Sequence, residues 1–258
     1  MGSISTSRVA FVSIIPVTGL PEFVLGDDVG QLIAERCEVN GTPVIAGDLV
    51  VVAQKIVSKA EGAVRLISEQ QPTGEAERVA GIVGKDPRLV QIVLEQSIRV
   101  VRAVPGVLIV ETHHGFICAN AGVDSSNIES DELVTTLPED SDRSARLIRE
   151  TFVARVGDDV GVLVSDTFNR PWREGSINVA IGVAGLDPLL DLRGTIDDFE
   201  REMRTSTVSL ADEVASAAQM VMGETGRIPA AIVRGVGWER GEFASSRLVR
   251  PATRDLFR

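Results

Sequence analysis

Apolar residues fall in short blocks along this chain, and the blocks are of two kinds. Leu49 to Ala53 and Val160 to Val164 are unbroken and rich in β-branched residues, as expected of strands buried on both faces. Val9 to Ile15 and Ala230 to Val233 read as further short strands. Val107 to Glu111 and Phe116 to Ala119 read as a strand pair, with His113-His114-Gly115 as the turn between them. The second kind has helical spacing. Asp27 or Asp28 can cap a helix that runs to about Arg36. Glu75 to Val83 and Arg88 to Val93 predict helices parted by Lys85-Asp86-Pro87, and Ser144 to Val153 predicts another. From about Ala211 to Met222, Val214, Ala217, Ala218 and Val221 recur at helical spacing. Asp212 and Glu213 suit the positive N-terminus of that helix, and Gly223 can end it.

Strands and helices mix without regular alternation. The pattern predicts an α+β fold with mixed sheets and flanking helices, arranged as two intertwined subdomains. Residues 1–258 are read as one domain, and Glu129 to Glu139 is the candidate for an internal hinge.

Composition narrows the function classes. A chain of 258 residues with 44% hydrophobic content can bury a sizeable core. No apolar run reaches the roughly 18 residues of a membrane span. Met1 to Arg8 lacks a basic region followed by an apolar stretch, so no secretory signal is expected. Cys37 and Cys118 fit neither a disulfide framework nor a CxxC zinc pattern, and a reducing cytoplasm is the expected compartment. A net charge of −11 argues against nucleic acid and anionic membrane as partners. Lys55, Lys59 and Lys85 are the only lysines beside many arginines, and two of them share Gln54 to Lys59, read as a polar segment leaving the end of the strand Leu49 to Ala53. A compact point charge is what distinguishes lysine from arginine there; chance placement is the plain alternative.

Walker A, GxGxxG and GxSxG signatures are absent, and two adjacent histidines supply no His-rich metal site. Two segments carry chemistry instead. Asn120 to Asn127 is a small-residue loop with the carboxylate of Asp124. Asp166 to Gly175, read as a strand-end loop after a buried strand, holds Asp166, Thr167, Arg170, Trp172 and Arg173. Aspartate and threonine oxygens are hard ligands suited to Mg²⁺ or Mn²⁺. Arginine forks bind phosphate or carboxylate. In an acidic protein, a divalent cation between carboxylate and polyphosphate inverts the local sign of charge. The plainer readings are that Asp124 shapes a turn, that Asp166 caps one, and that Arg173 pairs with Glu174.

These segments resemble the coenzyme F420-0:L-glutamate ligase family, the F420 gamma-glutamyl ligases, and equally the N-terminal ligase half of the bifunctional actinobacterial form. The matching pieces run in order: Pro16 to Pro21, Gly47 to Lys59, His114 to Asp124 with Ser126 and Asn127, Asp166 to Phe168 with Arg170 to Arg173, Ala211 to Glu213, and Arg250 to Phe257. The resemblance implies GTP and a divalent metal as cofactors, and coenzyme F420-0 and L-glutamate as substrates. It implies activation of the lactyl carboxylate as an acyl phosphate, attack by the glutamate amine, and later γ-linked additions. Carried over by position, the metal ligands are Asp124, Asp166, Thr167 and Glu224. The nucleotide contacts are Leu20, Pro21, Glu22, Phe23, Gln54, Lys59, Asn127, Met222 and Gly223. Asp124, Asp166, Arg170 and Arg173 are the catalytic candidates, with the arginines assigned to substrate carboxylate or phosphodiester. A homodimer is implied, for which the small apolar residues of Ile177 to Leu186 offer an interface.

The chain departs from the family in two places. Glu224-Thr225-Gly226-Arg227 replaces an often longer, glycine-rich turn, and Glu200 stands where glycine is frequent. The expected product is a stand-alone ligase or an excised ligase half. The rival readings are a ligase of the same fold acting on another carboxylate, and a nucleotide-binding dimer without catalysis.

Overall fold

A computed structural model describes residues 11–126, 130–157 and 159–255. The chain begins with β1 (Ser13–Pro16), α1 (Val29–Val39), β2 (Asp48–Ala53) and α2 (Gln54–Ala60). It then builds β3 (Val64–Leu66), α3 (Gly74–Val83), α4 (Pro87–Glu95), β4 (Ser97–Val104), β5 (Val107–Thr112), β6 (Ile117–Ala119) and β7 (Leu133–Thr135). It returns through α5 (Ser141–Val156), β8 (Val160–Arg170), β9 (Arg173–Ala184), β10 (Leu190–Asp191), β11 (Thr207–Val208), α6 (Leu210–Met222) and β12 (Ala230–Arg234).

The main sheet has the order β1-β12-β2-β8-β9. Its β2 and β8 run parallel and its other neighbours antiparallel, so the expected α+β fold with a mixed sheet is what forms. A strand's period of two sends Val50 and Val52 into one core with α1, α2 and α5, and Leu49 and Val51 into another under α6. That double burial is why β2 reads as an unbroken apolar run. A second unit packs α3 and α4 on the β4-β5-β6 sheet, around Val79, Val83, Val90, Leu108 and Val110. β3 and β7 pair at its border, so the stretch considered as a hinge contains a strand. The chain leaves the main sheet, completes this unit and returns, so the two units share two crossings.

The helix caps agree with the residue types. Asp28 accepts from the backbone N–H of Gln31, Thr73 from Ala76, and Asp86 from Arg88. Three expectations change. Gln54 to Lys59 is not a bare polar exit but the helix α2. Asp166 to Gly175 is not a loop, because β8 continues to Arg170 and turns directly into β9. The apolar run stops at Val164 where the strand leaves the core; pairing with β9 holds the rest, across a register shift between Val164 and Ser165. Most of Ile177 to Leu186, the stretch expected at an interface, is covered by its own chain, with Ile177 and Val179 half-buried. Ala180, Ile181, Val183, Ala184 and Leu186 are buried within their own subunit.

The outer edge of β9 is also closed. Its backbone N–H groups at Asn178, Ala180 and Val183 donate to Gln219, Asp212 and Asp142, at 2.8, 2.9 and 2.8 Å. Strand edges left open invite pairing with other chains, and helix side chains prevent that here. Close packing also dictates Gly182, where a Cβ would stand 2.3 Å from the carbonyl oxygen of Ser141 at the start of α5.

Asp48 opens β2 with no exposure to solvent. Its oxygens accept from Arg234 Nε and Nη2, both at 2.8 Å, and from the N–H of Ile45 at 2.9 Å. Removing the guanidinium leaves a buried carboxylate uncompensated. Arg234→Met is therefore expected to lower stability by roughly 3 kcal/mol, measured by urea denaturation. The double variant with Asp48→Asn should recover part of the loss. Additive losses would mean that the pair is not coupled.

Candidate active site

The parallel register aligns Ala53 at the end of β2 with Ser165 on β8. Both strands leave the core at the same edge, so Gln54 and Asp166 emerge side by side. Crevices at the carboxyl ends of parallel strands are common ligand sites. Here a cleft of about 680 Å³ opens, walled by both units of the fold.

The cleft brings expected site residues together from five separated stretches. Leu20, Pro21, Glu22 and Phe23 line it, as do Gln54 and Lys59 of α2, Asp124, Asp166 and Thr167, and Met222, Gly223 and Glu224 at the end of α6. Asn127 lies outside the described residues. Arg170 and Arg173 are placed elsewhere. They line a separate surface hollow of about 350 Å³ at the end of the β8–β9 hairpin, with Trp172. The Arg170 guanidinium donates to the carbonyls of Gly175, at 3.1 Å, and Glu174, and so ties the hairpin end together.

Cleft residues given no role from their type include Asn120, Ser165, Asn178 and Arg227, and Lys55 was not expected as the partner of Asp124. Asn178 could not be found from its own segment, because its place comes from pairing opposite Thr167 across β8 and β9. Lys55 carried a signal, the rarity of lysine in this chain.

The two aspartates differ in their electrostatics. Asp124 Oδ2 meets Lys55 Nζ at 2.7 Å, and its oxygens accept from the Ser126 N–H and hydroxyl at 2.7 and 2.9 Å. Burial raises its pKa, but these bonds outweigh burial and hold it below the usual carboxylate value. Asp124 thus shapes a turn and also faces the cleft. Asp166 is pushed up to about 7, first by burial and then by the charges of Asp124 and Glu224, against the Thr167 N–H and Lys55. Beside it, the Ser165 hydroxyl is buried and, among the described residues, has no hydrogen-bond partner.

A chain of hydrogen bonds positions the remaining oxygens. The Thr167 hydroxyl donates to Asn178 Oδ1 at 2.8 Å, which leaves its own lone pairs available. Gln219 Nε2 donates to Glu224 Oε1 at 3.1 Å, and Glu224 Oε1 lies 3.4 Å from Thr167 Oγ1. Gln54 is buried against Ser58, 2.8 Å away. Lys59 is ion-paired with Glu22.

Among the described residues no three His, Cys, Asp or Glu side chains stand close enough together to hold a metal ion. The donor chemistry nevertheless fits a hard divalent cation: two carboxylates that repel one another, a hydroxyl with free lone pairs, and Glu224 behind them. Binding there requires Asp124 to exchange or share its contact with Lys55.

Known proteins give the class. A coenzyme F420:L-glutamate ligase of Methanothermobacter thermautotrophicus is 42% identical over 250 residues, covering 96% of this chain and 99% of that protein. That of Methanopyrus kandleri is 43% identical over 238 residues, 90% of this chain and 92% of its own. That of Archaeoglobus fulgidus is 37% identical over 248 residues, 96% of each. Fold, cleft and relatives together define an enzyme of the ligase class. Residues 19–235 match the F420-0:gamma-glutamyl ligase family, and the chain belongs to it. Among the described residues no helix is long and apolar enough to cross a membrane.

Asp166 makes stability depend on pH. Its folded pKa, about 7, exceeds its ordinary value of 3.8, so the fold disfavours the ionised form. This penalty is absent below about pH 4, grows as pH rises, and is complete above about pH 7. Asp166→Asn should remove it. In urea denaturation the variant is expected to gain on the order of 1–2 kcal/mol over wild type between about pH 4 and pH 8. Parallel pH profiles for the two proteins would show that Asp166 is not strained by its surroundings.

Proposed function

We propose that this chain forms an amide between L-glutamate and the lactyl carboxylate of coenzyme F420-0, using GTP and Mg²⁺ or Mn²⁺, and that it can add further γ-linked glutamates. The observation that carries this reading is the meeting of Asp124, Asp166, Thr167 and Glu224 with Gln54, Lys59 and the Leu20–Phe23 segment in one cleft of a chain from this family.

Asp124, Asp166, Thr167 and Glu224 would hold the divalent cation, which supplies charge neutralisation to phosphates in transfer. Leu20 to Phe23, Gln54 and the Met222-Gly223 turn would enclose the nucleotide. Lys59, at the end of α2, would exchange Glu22 for phosphate oxygens; a lysine ammonium suits that change of partner. The cleft lies between two packed units, so it can exclude water from an acyl phosphate that water would destroy. Asp124 then has two roles, a partner for Lys55 when the cleft is empty and a metal ligand when it is filled. Arg170 and Arg173 stay outside this scheme, because the hairpin carries them to a separate hollow.

We further propose a cytoplasmic homodimer. Light scattering at micromolar concentration should give twice the chain mass.

The decisive assay incubates purified protein with F420-0, L-glutamate, GTP and Mg²⁺ and weighs the product by mass spectrometry. One or more glutamyl additions are expected. A different carboxylate consumed in place of F420-0 points to the rival ligase. Nucleotide binding with no product points to the non-catalytic reading. Folded Asp166→Asn should form no amide. Lys59→Ala should weaken GTP binding by roughly 1.5–3 kcal/mol in calorimetry, the scale of a hydrogen bond to a charged group. Unchanged GTP affinity would leave Lys59 without a role in nucleotide binding.

A further inference from the structure

Each of the three lysines of this chain ends on a residue of the cleft wall. Lys55 meets Asp124, Lys59 meets Glu22, and Lys85 Nζ donates to Asn120 Oδ1 at 2.6 Å. The first two belong to the reading given above. The third does not: Lys85 meets Asn120 from the turn between α3 and α4.

The Lys85–Asn120 pair has a definite polarity. A lysine ammonium only donates, so the amide oxygen of Asn120 must face Lys85. The opposite end of the amide, its two N–H donors, then faces away from Lys85. Among the described residues Asn120 Nδ2 has no hydrogen-bond acceptor, and Asn120 lines the cleft. A cation behind the amide oxygen polarises the N–H groups toward an anion. Lys85 is partly buried, and burial holds its pKa down.

The backbone around this amide is strained and tightly enclosed. Asn120 and Ala121 have φ of 52° and 57°, values in the left-handed region that cost a non-glycine residue free energy. Such conformations persist only where the surroundings over-determine them, and they cluster at functional sites. Ala121 is 1% exposed within the core of the second unit. At Gly122 a Cβ would lie 2.6 Å from the side chain of Leu137. The segment therefore has little freedom to move, and the direction of the Asn120 amide is set by Lys85.

We propose that Asn120, oriented by Lys85, is a substrate contact that presents its amide N–H donors to a carboxylate of the incoming amino acid. This rests on the ligase reading above and adds a residue to its acceptor side. The side chains assigned to the nucleotide come from the Leu20 segment, α2 and the turn after α6. Asn120 comes from the second unit, on the wall those residues leave uncovered. An anion is the fitting ligand, because Lys85 behind the amide oxygen of Asn120 favours negative charge at its N–H end. Lys85 is a positioning residue, acting only through Asn120.

The test uses Asn120→Asp. It keeps the size and strengthens the bond to Lys85, but replaces the cleft-facing donors with an acceptor oxygen. KM for L-glutamate should rise roughly tenfold or more, the scale of a lost charge-assisted hydrogen bond, while KM for GTP and for F420-0 stays within about twofold. The melting temperature should be unchanged or higher. Lys85→Met should raise KM for glutamate several-fold, and Lys85→Arg, which keeps a donor, should restore part of it. The assignment is overturned if glutamate KM stays within twofold in Asn120→Asp, or if the KM for F420-0 or GTP is the one that rises. A fall in melting temperature with unchanged KM would make the pair structural only. If wild type forms no ligated product, the ligase reading itself fails. Calorimetric titration of L-glutamate into folded wild type and Asn120→Asp then decides separately. Binding lost in the variant supports the contact, and equal or absent binding in both removes it.

Discussion

The parallel pairing of β2 with β8 is the constraint on which the site depends. Both strands are buried on both faces, so each must be apolar for as long as it stays in the core. The register places their exits together, at Ala53 and Ser165. Polar chain can begin only beyond that edge, and it therefore begins twice in the same place. One exit becomes α2, with Gln54, Lys55 and Lys59. The other continues as β8, held by β9, and presents Asp166 and Thr167. The second unit closes the opposite side with Asn120 and Asp124, and the turn after α6 adds Glu224.

Charge is arranged around this edge with economy. The chain carries a net charge of −11, yet each of its lysines meets a residue of the cleft. Lys55 holds Asp124 ionised, and Lys59 is paired with Glu22. Asp166 has no ion pair among the described residues, and burial with two neighbouring carboxylates drives its pKa upward. An oxygen site in this condition is stabilised by the arrival of a cation. The same physics that disfavours an ionised Asp166 here would favour it beside the divalent cation proposed above.

Outside the cleft, helix side chains finish what the sheet leaves open. Asp212 and Gln219 of α6 and Asp142 of α5 take the edge N–H groups of β9. Asp212 also accepts from the Ser209 hydroxyl at 2.8 Å. The Ala211-Asp212-Glu213 piece, which had suggested only a favourable helix start, is thus a seal on a strand edge. Glu200 shows a similar relation between sequence and conformation. It stands where the family often has glycine, and its φ of 61° is one that glycine adopts without cost.

The residues themselves determined the α+β class, the buried strands Leu49–Ala53 and Val160–Val164, and the capped helices, because these follow from period and cap chemistry within a short window. The ordered family segments also named the carboxylates, the hydroxyl and the lysine that meet in the cleft. Tertiary structure alone decided what depends on pairing at a distance. β8 runs past its apolar run because β9 holds it, which turned an expected loop into a hairpin and carried Arg170 and Arg173 away from the cleft. Ile177 to Leu186 looks like an interface by composition, but α5 and α6 cover it. Asn178 and Asn120 are ordinary amides in sequence. They acquire direction only from Thr167 and Lys85, across 11 and 35 residues of chain, and no local pattern encodes contacts that the fold alone brings within hydrogen-bond reach.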